Sequence, residues 1–505
     1  MPTPVILDGQ SLTLDDVRAV AVEHAPVELA PAARARMERA HAVVADLVKR
    51  NAVAYGVTTG FGKLSDVAIP PERLAELQVN LVRSHAAGVG PILSETETRA
   101  MMLLRANVIA KGFSGARPML VDLLAGMLNA GLHPPIPEQG SVGASGDLAP
   151  LAHLALALIG EGELHRAGQR GDARVLLRDA GLSPVRLGPK EGITLINGTQ
   201  AHTAIAALAV TDAHRLWQVA HLAGAMSLEA LLGTPVAFDP RIQEVRGQLG
   251  QAASAALLRE LLRDSEIRES HREGDPRVQD PYCLRCMPQV HGPVLDAIDF
   301  CAGVVARELN AATDNPLVFA ESAELLSGGN FHGQAVAMAL DFLAIALTNL
   351  ATMAERRIDR LVNPDLNQGL PPFLSTDAGV NSGFMMAQVT AASLASECKL
   401  LSHPASVDTI PTDGNKEDVV PMAMGAAWKL RRVLQNVRHV LAIELMCAAQ
   451  GLDHRAPLKA GRGALYGQRL VRQLVAPLAQ DRVLSTDISA LAAAIERGHF
   501  SVGTA

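Results

Sequence analysis

The stretch from Gly140 to Pro150 contains Ala144-Ser145-Gly146, three residues whose order permits unusual chemistry. Gly146 has no side chain, so its backbone nitrogen can approach another backbone group closely. Ala144 gives its carbonyl carbon little steric cover, and the Ser145 hydroxyl can leave as water. In a tightly bent loop the Gly146 nitrogen can attack the Ala144 carbonyl and close a five-membered ring. Loss of two waters then leaves an exocyclic methylidene on the former serine, an electrophile that no ordinary side chain supplies. Two commoner uses of a Gly/Ser-rich loop fail on spacing. A phosphate loop ends in Gly-Lys-Ser/Thr, whereas Asp147 follows the last glycine here. A nucleophile elbow needs Gly-x-Ser-x-Gly, and only Gly-x-Ser-Gly is present.

Other chemistry-bearing residues fall in short polar segments that interrupt apolar helical patterns. These are the loops around Tyr55, Ser84-His85, Asn197-Gly198-Thr199-Gln200, Gln279 to Arg285, Gly328 to Gln334, His403 to Asp408, and Asn415 to Asp418. The chain has only three tyrosines, and Tyr55 and Tyr282 both lie in these segments. A tyrosine so placed can act as a general acid or base where a positive or hydrogen-bonding environment lowers its pKa. The plain alternative is a buried phenol with a backbone partner. Arg285, three residues after Tyr282, offers a planar fork that fits a carboxylate, against the commoner use of arginine in surface ion pairs.

Positioning these groups falls to a mainly helical chain. Of 505 residues 49% are hydrophobic but only 3% aromatic, so the core is built from Ala, Leu and Val, which suits close-packed helices better than a β-sandwich. The formal charge of -7 leaves no basic footprint for nucleic acid. Five cysteines, an odd and sparse set, argue for a reducing compartment, and Cys283-x-x-Cys286 lacks the second pair that a zinc site needs. The N-terminus lacks the features of a signal peptide, so the expected location is the cytoplasm. The apolar run from Ala335 to Ala354 contains Asp341 and reads as a buried bundle helix rather than a membrane span.

A short strand over Val5 to Leu7 is expected, with helices near Pro31–Arg50, Pro71–Arg83, Glu95–Lys111 and Arg117–Ala130. Beyond about residue 200 the helices lengthen: Thr199–Leu232, Gln289–Leu317, Gly333–Leu361, Asn381–Leu401 and about Glu417–Gly451. The expected organisation is a smaller mixed N-terminal domain (1–200) bearing the central loop, then a long-helix bundle with a C-terminal helical region (201–505).

Seven segments together resemble the aromatic amino acid ammonia-lyase family. They are YGVTTGFG from Tyr55, SHAAGVG from Ser84, GSVGASGDLAPLAHLAL from Gly140, KEGITLINGTQ from Lys190, VQDPYCLRCMPQVHG from Val278, SGGNFHGQ from Ser327, and HPASVDTIPTDGNKEDVVPM from His403. They span most of the chain and keep the family's order. The resemblance implies a fumarase/aspartase-like helical homotetramer with active sites shared between chains. It also implies a 4-methylidene-imidazol-5-one (MIO) made autocatalytically from Ala144, Ser145 and Gly146, with no metal and no diffusible cofactor. That electrophile makes the substrate amine a better leaving group. Tyr282 is then the base for the β-proton and Tyr55 assists proton transfer near the amine. Arg285 and Asn197 hold the substrate carboxylate, Gln279 and Phe331 line the site, and Asp147 assists or orients ring formation.

The resemblance also bears on the substrate. A histidine at position 85 occurs in histidine- and tyrosine-specific relatives, since it can hydrogen-bond an imidazole or a phenol. Glu417 is the sharper sign, because histidine-specific members carry Glu there while tyrosine and phenylalanine enzymes carry Gln. The expected reaction is therefore elimination of ammonia from L-histidine to give trans-urocanate; the alternative is a tyrosine or other aromatic ammonia-lyase, or an aminomutase. Thr58, Lys416, Val419, Pro421 and Cys283 depart from the histidine pattern. Lys416 matters most, as a cation that could pair with Glu417; on a helix, successive residues point about 100° apart, which would turn it away. A lyase of the δ-crystallin type needs a Gly-Ser-Ser-x-Met-Pro-type loop, which is absent from the sequence. A non-enzymatic helical scaffold leaves the polar segments unexplained.

Overall fold

The structure is a computed structural model, described here for residues 3–502. It is mainly helical. Helix starts follow local chemistry. The Ser94 hydroxyl accepts the Glu97 amide N–H while the Glu97 carboxylate takes the Ser94 N–H, opening the helix Glu95–Ala110, whose interior is almost wholly buried. Pro31 opens the helix Pro31–Lys49, where its missing N–H costs nothing. Among the described residues the strands form only two-stranded pairs, Val5–Leu7 with Val27–Leu29, Val89–Ile92 with Pro137–Gln139, Glu163–Arg166 with Gln169–Asp172, and Leu317–Phe319 with Glu324–Leu326.

The chain divides into two compact units. The first comprises the chain up to Leu208 with Ala302–Asp341 and Pro404–Trp428; the second comprises Ala209–Cys301, Phe342–His403 and the chain from Lys429 onward. The division differs from the sequence expectation of a single boundary near residue 200. The first crossing falls close to it, and the chain then returns twice to the first unit through segments distant in sequence.

In the first unit three helices pack on one another: Leu74–His85, Leu148–Leu158 and Glu191–Ile196. Their ends carry chemistry, with His85 closing the first, Asp147 preceding the second and Asn197 following the third. The strand pair Val89–Ile92 with Pro137–Gln139 brings the segment after His85 beside the start of the central loop.

In the second unit Arg357 and Glu444 form a fully buried pair, with Nε 2.5 Å from Oε1 and Nη2 2.9 Å from Oε2. The Ser227 hydroxyl donates to Oε1 at 2.7 Å, so the carboxylate is well satisfied. Nearby, the rings of Trp217, His221 and His291 pack against one another in the interior, tilted and then edge-on, with successive centroids 4.1 and 4.8 Å apart.

Two expected helices differ. The helix anticipated to Leu317 ends at Glu308, because Asn315-Pro316 and the strand Leu317–Phe319 follow. The helix anticipated from Glu417 starts only at Ala423, after Pro421. One helix, Gln334–Val362, is long and apolar enough to cross a membrane by length and composition, and 61% of its most apolar stretch is buried inside the protein. Among the described residues no group of three or more His, Cys, Asp or Glu side chains is arranged to hold a metal ion.

Candidate active site

Both ends of Ala144-Ser145-Gly146 are tied down. Upstream, the Gly143 carbonyl accepts the Gly333 N–H at 3.0 Å and the Gly143 N–H donates to Ser141 Oγ at 3.1 Å. Downstream, the Asp147 N–H donates to the Gly198 carbonyl at 2.7 Å, and Gly146 bridges Gly198. Gly146 sits at φ +74°, and a Cβ there would fall on the Gly198 backbone, so only glycine fits. Ala144 is 3% exposed, which leaves little room above its carbonyl carbon for a larger side chain.

The Asp147 carboxylate is the anchor of the downstream end. Oδ2 accepts the Ala201 N–H at 2.8 Å and the His202 N–H at 3.0 Å, both at the start of the helix Gln200–Ala230; Oδ1 accepts the Ser141 hydroxyl at 2.8 Å. Burial opposes its ionisation, but His202 beside it and these hydrogen bonds hold the carboxyl below its usual range.

The Ser145 hydroxyl donates to Glu417 Oε1. The other oxygen, Oε2, accepts the Thr412 hydroxyl at 2.5 Å, and the Thr412 N–H donates to the Glu417 carbonyl at 2.9 Å. The chain reverses between these residues through Asp413, Gly414 and Asn415, at φ 46°, 58° and 67°. Asp413 and Asn415 each cost about 1 kcal/mol or more in this left-handed region, which the Thr412–Glu417 contacts help to offset. Lys416 and Glu417 are therefore not on a helix, and the helical reason for expecting Lys416 to point away does not apply. Lys416 is nevertheless exposed, while the Glu417 carboxylate is held by two hydroxyls.

His85 Nδ1 lies 2.8 Å from the Leu81 carbonyl, which can only accept, so Nδ1 carries a proton, and in that tautomer Nε2 is an acceptor. The His85 segment is fixed by the Gly88 N–H, which donates to His153 Nε2 at 3.2 Å. Tyr55 is half-buried and its Oη accepts the Gly62 N–H at 3.3 Å. Here the expectation of a lowered pKa fails. Burial pushes the phenol above its ordinary value, the Gly62 bond opposes this, and the carboxylates of Asp413 and Glu417 add to the rise, so Tyr55 stays protonated. Asn197 is 4% exposed, and its backbone carbonyl accepts Arg105 Nη1 at 2.7 Å. Arg105 also donates to Gln200 Oε1 at 2.7 Å, and complete burial brings it down to about 10. Phe331 is half-buried, two residues before the Gly333 amide that ties the central loop.

Ala144, Ser145, Gly146, Asp147, Tyr55, His85, Asn197, Phe331 and Glu417 thus all belong to the first unit. Gln279, Tyr282 and Arg285 belong to the second. Tyr282 is 69% exposed, and the Arg285 guanidinium lies over its ring, 4.7 Å from the centroid. Cys283 between them is buried, which pushes its thiol up. Sequence reasoning missed Thr412, Ser141 and His202. Thr412 and Ser141 sit inside quoted motifs and had a signal in their neighbours; His202 had none.

Residues 12–474 match the aromatic amino acid lyase family. A histidine ammonia-lyase of Koribacter versatilis (strain Ellin345) is 55% identical over 504 residues, covering 97% of this chain and 98% of that protein. The histidine ammonia-lyase structure from Trypanosoma cruzi superposes with a TM-score of 0.91 at 43% identity, covering 99% of this chain and 94% of that one. The tyrosine aminomutase from Streptomyces globisporus superposes with a TM-score of 0.94 at 39% identity, covering 99% and 98%. A helical fold that pins an Ala-Ser-Gly loop at both ends, with these likenesses over nearly the whole chain, makes the protein a member of the aromatic amino acid lyase family. It is a carbon–nitrogen lyase.

Proposed function

We propose that the protein is a histidine ammonia-lyase, eliminating ammonia from L-histidine to give trans-urocanate. The observation that carries this reading is the Ala144-Ser145-Gly146 loop, bound at Gly143 and Asp147 with the Ser145 hydroxyl on Glu417. The loop fits the MIO group: Gly146 has no room for a side chain and both flanks are held in a tight bend, as ring closure demands. Once formed, that group supplies the electrophile that turns the substrate amine into a leaving group.

The chain's own residues do the rest. Glu417, held by Thr412, and His85 Nε2 are both acceptors, and either suits the N–H of an imidazole ring. Tyr55, kept protonated by burial, handles the proton near the amine. Asn197, set by Arg105, and Arg285 hold the carboxylate. Tyr282 removes the β-proton, and Gln279 and Phe331 line the site. Asp147 orients ring formation. The resemblance to the family implies a homotetramer with active sites shared between chains. The sparse, odd set of cysteines suits the cytoplasm.

One observation favours a second reading. His85 Nε2 accepts a phenol O–H as well as an imidazole N–H, which keeps tyrosine as the competing substrate, for an ammonia-lyase or an aminomutase. Intact mass tests the prosthetic group: a chain lighter by two waters supports the reading, and a full-mass chain that is catalytically active defeats it.

A further inference from the structure

His202 lies outside every motif that pointed to the site, yet it touches the loop's anchor. Its ring is fully buried, and Nδ1 is 2.9 Å from Asp147 Oδ2. Its own backbone N–H donates to the same oxygen at 3.0 Å. Neither ring nitrogen makes a hydrogen bond of good geometry among the described residues: Nδ1 is in close polar contact with the carboxylate, and Nε2 meets no polar group. It points toward Gly333, where a Cβ would come within 2.8 Å of it. Leaving a buried polar atom unmet is a cost that an apolar side chain would avoid. Fold stability alone therefore gives no reason for a histidine here, and the feature that remains is the closeness of Nδ1 to the Asp147 carboxylate.

We propose that His202 is a positioning residue for closure of the Ala144-Ser145-Gly146 ring, holding the Asp147 carboxylate that anchors the downstream end of the loop. This rests on the MIO reading above. In the closure, a bond forms between the Gly146 nitrogen and the Ala144 carbonyl carbon, and the Gly146 amide hydrogen moves to the Ala144 oxygen. That oxygen leaves as water with the Ser145 amide hydrogen; a second water takes the Ser145 Cα hydrogen and its hydroxyl. The balance is two waters out, with no net oxidation. The step needs the Gly146 nitrogen held against the Ala144 carbonyl, and a misplacement of about 1 Å is enough to slow such a reaction greatly. Asp147 sets that distance from the downstream side. Without the His202 ring, the fully buried carboxylate keeps the Ser141 hydroxyl and the two backbone amides at 201 and 202, and its position is less tightly held.

The test compares the intact mass of wild type, His202→Leu and His202→Asn, each shown to be folded by circular dichroism. Asn can place an N–H where Nδ1 stands; Leu cannot. The expected result is a two-water deficit in wild type and in His202→Asn, and its loss in His202→Leu. Should the Leu chain not fold, His202→Met, unbranched and of similar volume, replaces it with the same expectation. A folded Leu or Met chain carrying the full deficit overturns the role of His202 while leaving the MIO reading intact. Loss of the deficit in the Asn chain as well also overturns it, since the hydrogen-bond donor would then not be what matters. A wild-type chain without the deficit overturns the MIO reading, and this role with it.

Discussion

The Ser145 hydroxyl donates to the carboxylate of Glu417, 272 residues away in the chain. One of these residues supplies atoms of the proposed electrophile; the other is the acceptor proposed for the substrate imidazole. In that proposal the site of chemistry and the site of substrate choice lie within one hydrogen bond.

Glu417→Gln keeps the shape and removes the charge. Charge-assisted hydrogen bonds are worth about 1.5–3 kcal/mol, so kcat/KM for L-histidine should fall by roughly 10- to 100-fold or more. Initial rates of urocanate formation check this, and an unchanged rate would remove Glu417 from substrate recognition.

Thr412→Val should leave the fold intact and loosen Glu417 Oε2. The expected cost is about 1 kcal/mol, or roughly fivefold in kcat/KM for L-histidine, with little change in thermal stability. Equal losses for every aromatic substrate would mean that Thr412 serves the loop and not the Glu417 orientation.

Breaking the buried Arg357–Glu444 pair with Arg357→Met leaves a carboxylate in the interior with, among the described residues, the Ser227 hydroxyl as its remaining partner. Destabilisation by about 3–5 kcal/mol is expected. Denaturant unfolding measures it, and a loss under 1 kcal/mol would show that the pair is not isolated from solvent.

His221 is pushed down to about 4, chiefly by burial, with Arg357 adding to the effect and the Trp217 carbonyl opposing it. Its folded pKa is depressed below the unfolded value of 6.5, so the unfolded chain binds the proton first as pH falls. Stability is therefore fully present above pH 6.5 and is lost toward pH 4, by roughly 3 kcal/mol from this group. The urea midpoint should fall between pH 7 and pH 4.5, and His221→Gln should flatten that fall. An equal fall in the variant would assign the acid sensitivity elsewhere.

Much of the helical framework was legible because its signals are local. Ser94 and Glu97 cap one helix, Pro31 opens another, and apolar periodicity covers the interiors. The region around Glu417 was misread for a physical reason. An apolar stretch after it carries helical periodicity, but Pro421 and the left-handed Met422, at φ 53°, keep the chain non-helical until Ala423. The site motifs were legible as motifs, since glycine, tyrosine and asparagine interrupt an Ala/Leu-rich chain. Their supports were not. Thr412 and His202 act through contacts that reach across folded loops, which spacing along a sequence does not encode. Nor does the sequence show that the first unit is assembled from three separate stretches of chain.

The most direct measurement is incubation of the purified protein with L-histidine, L-tyrosine and L-phenylalanine in turn, following the ultraviolet absorbance of the conjugated acid. The account predicts rapid urocanate formation from L-histidine and little product from the other two. Preferential turnover of L-tyrosine, or no product from any of the three by a chain already lacking two waters, would contradict it.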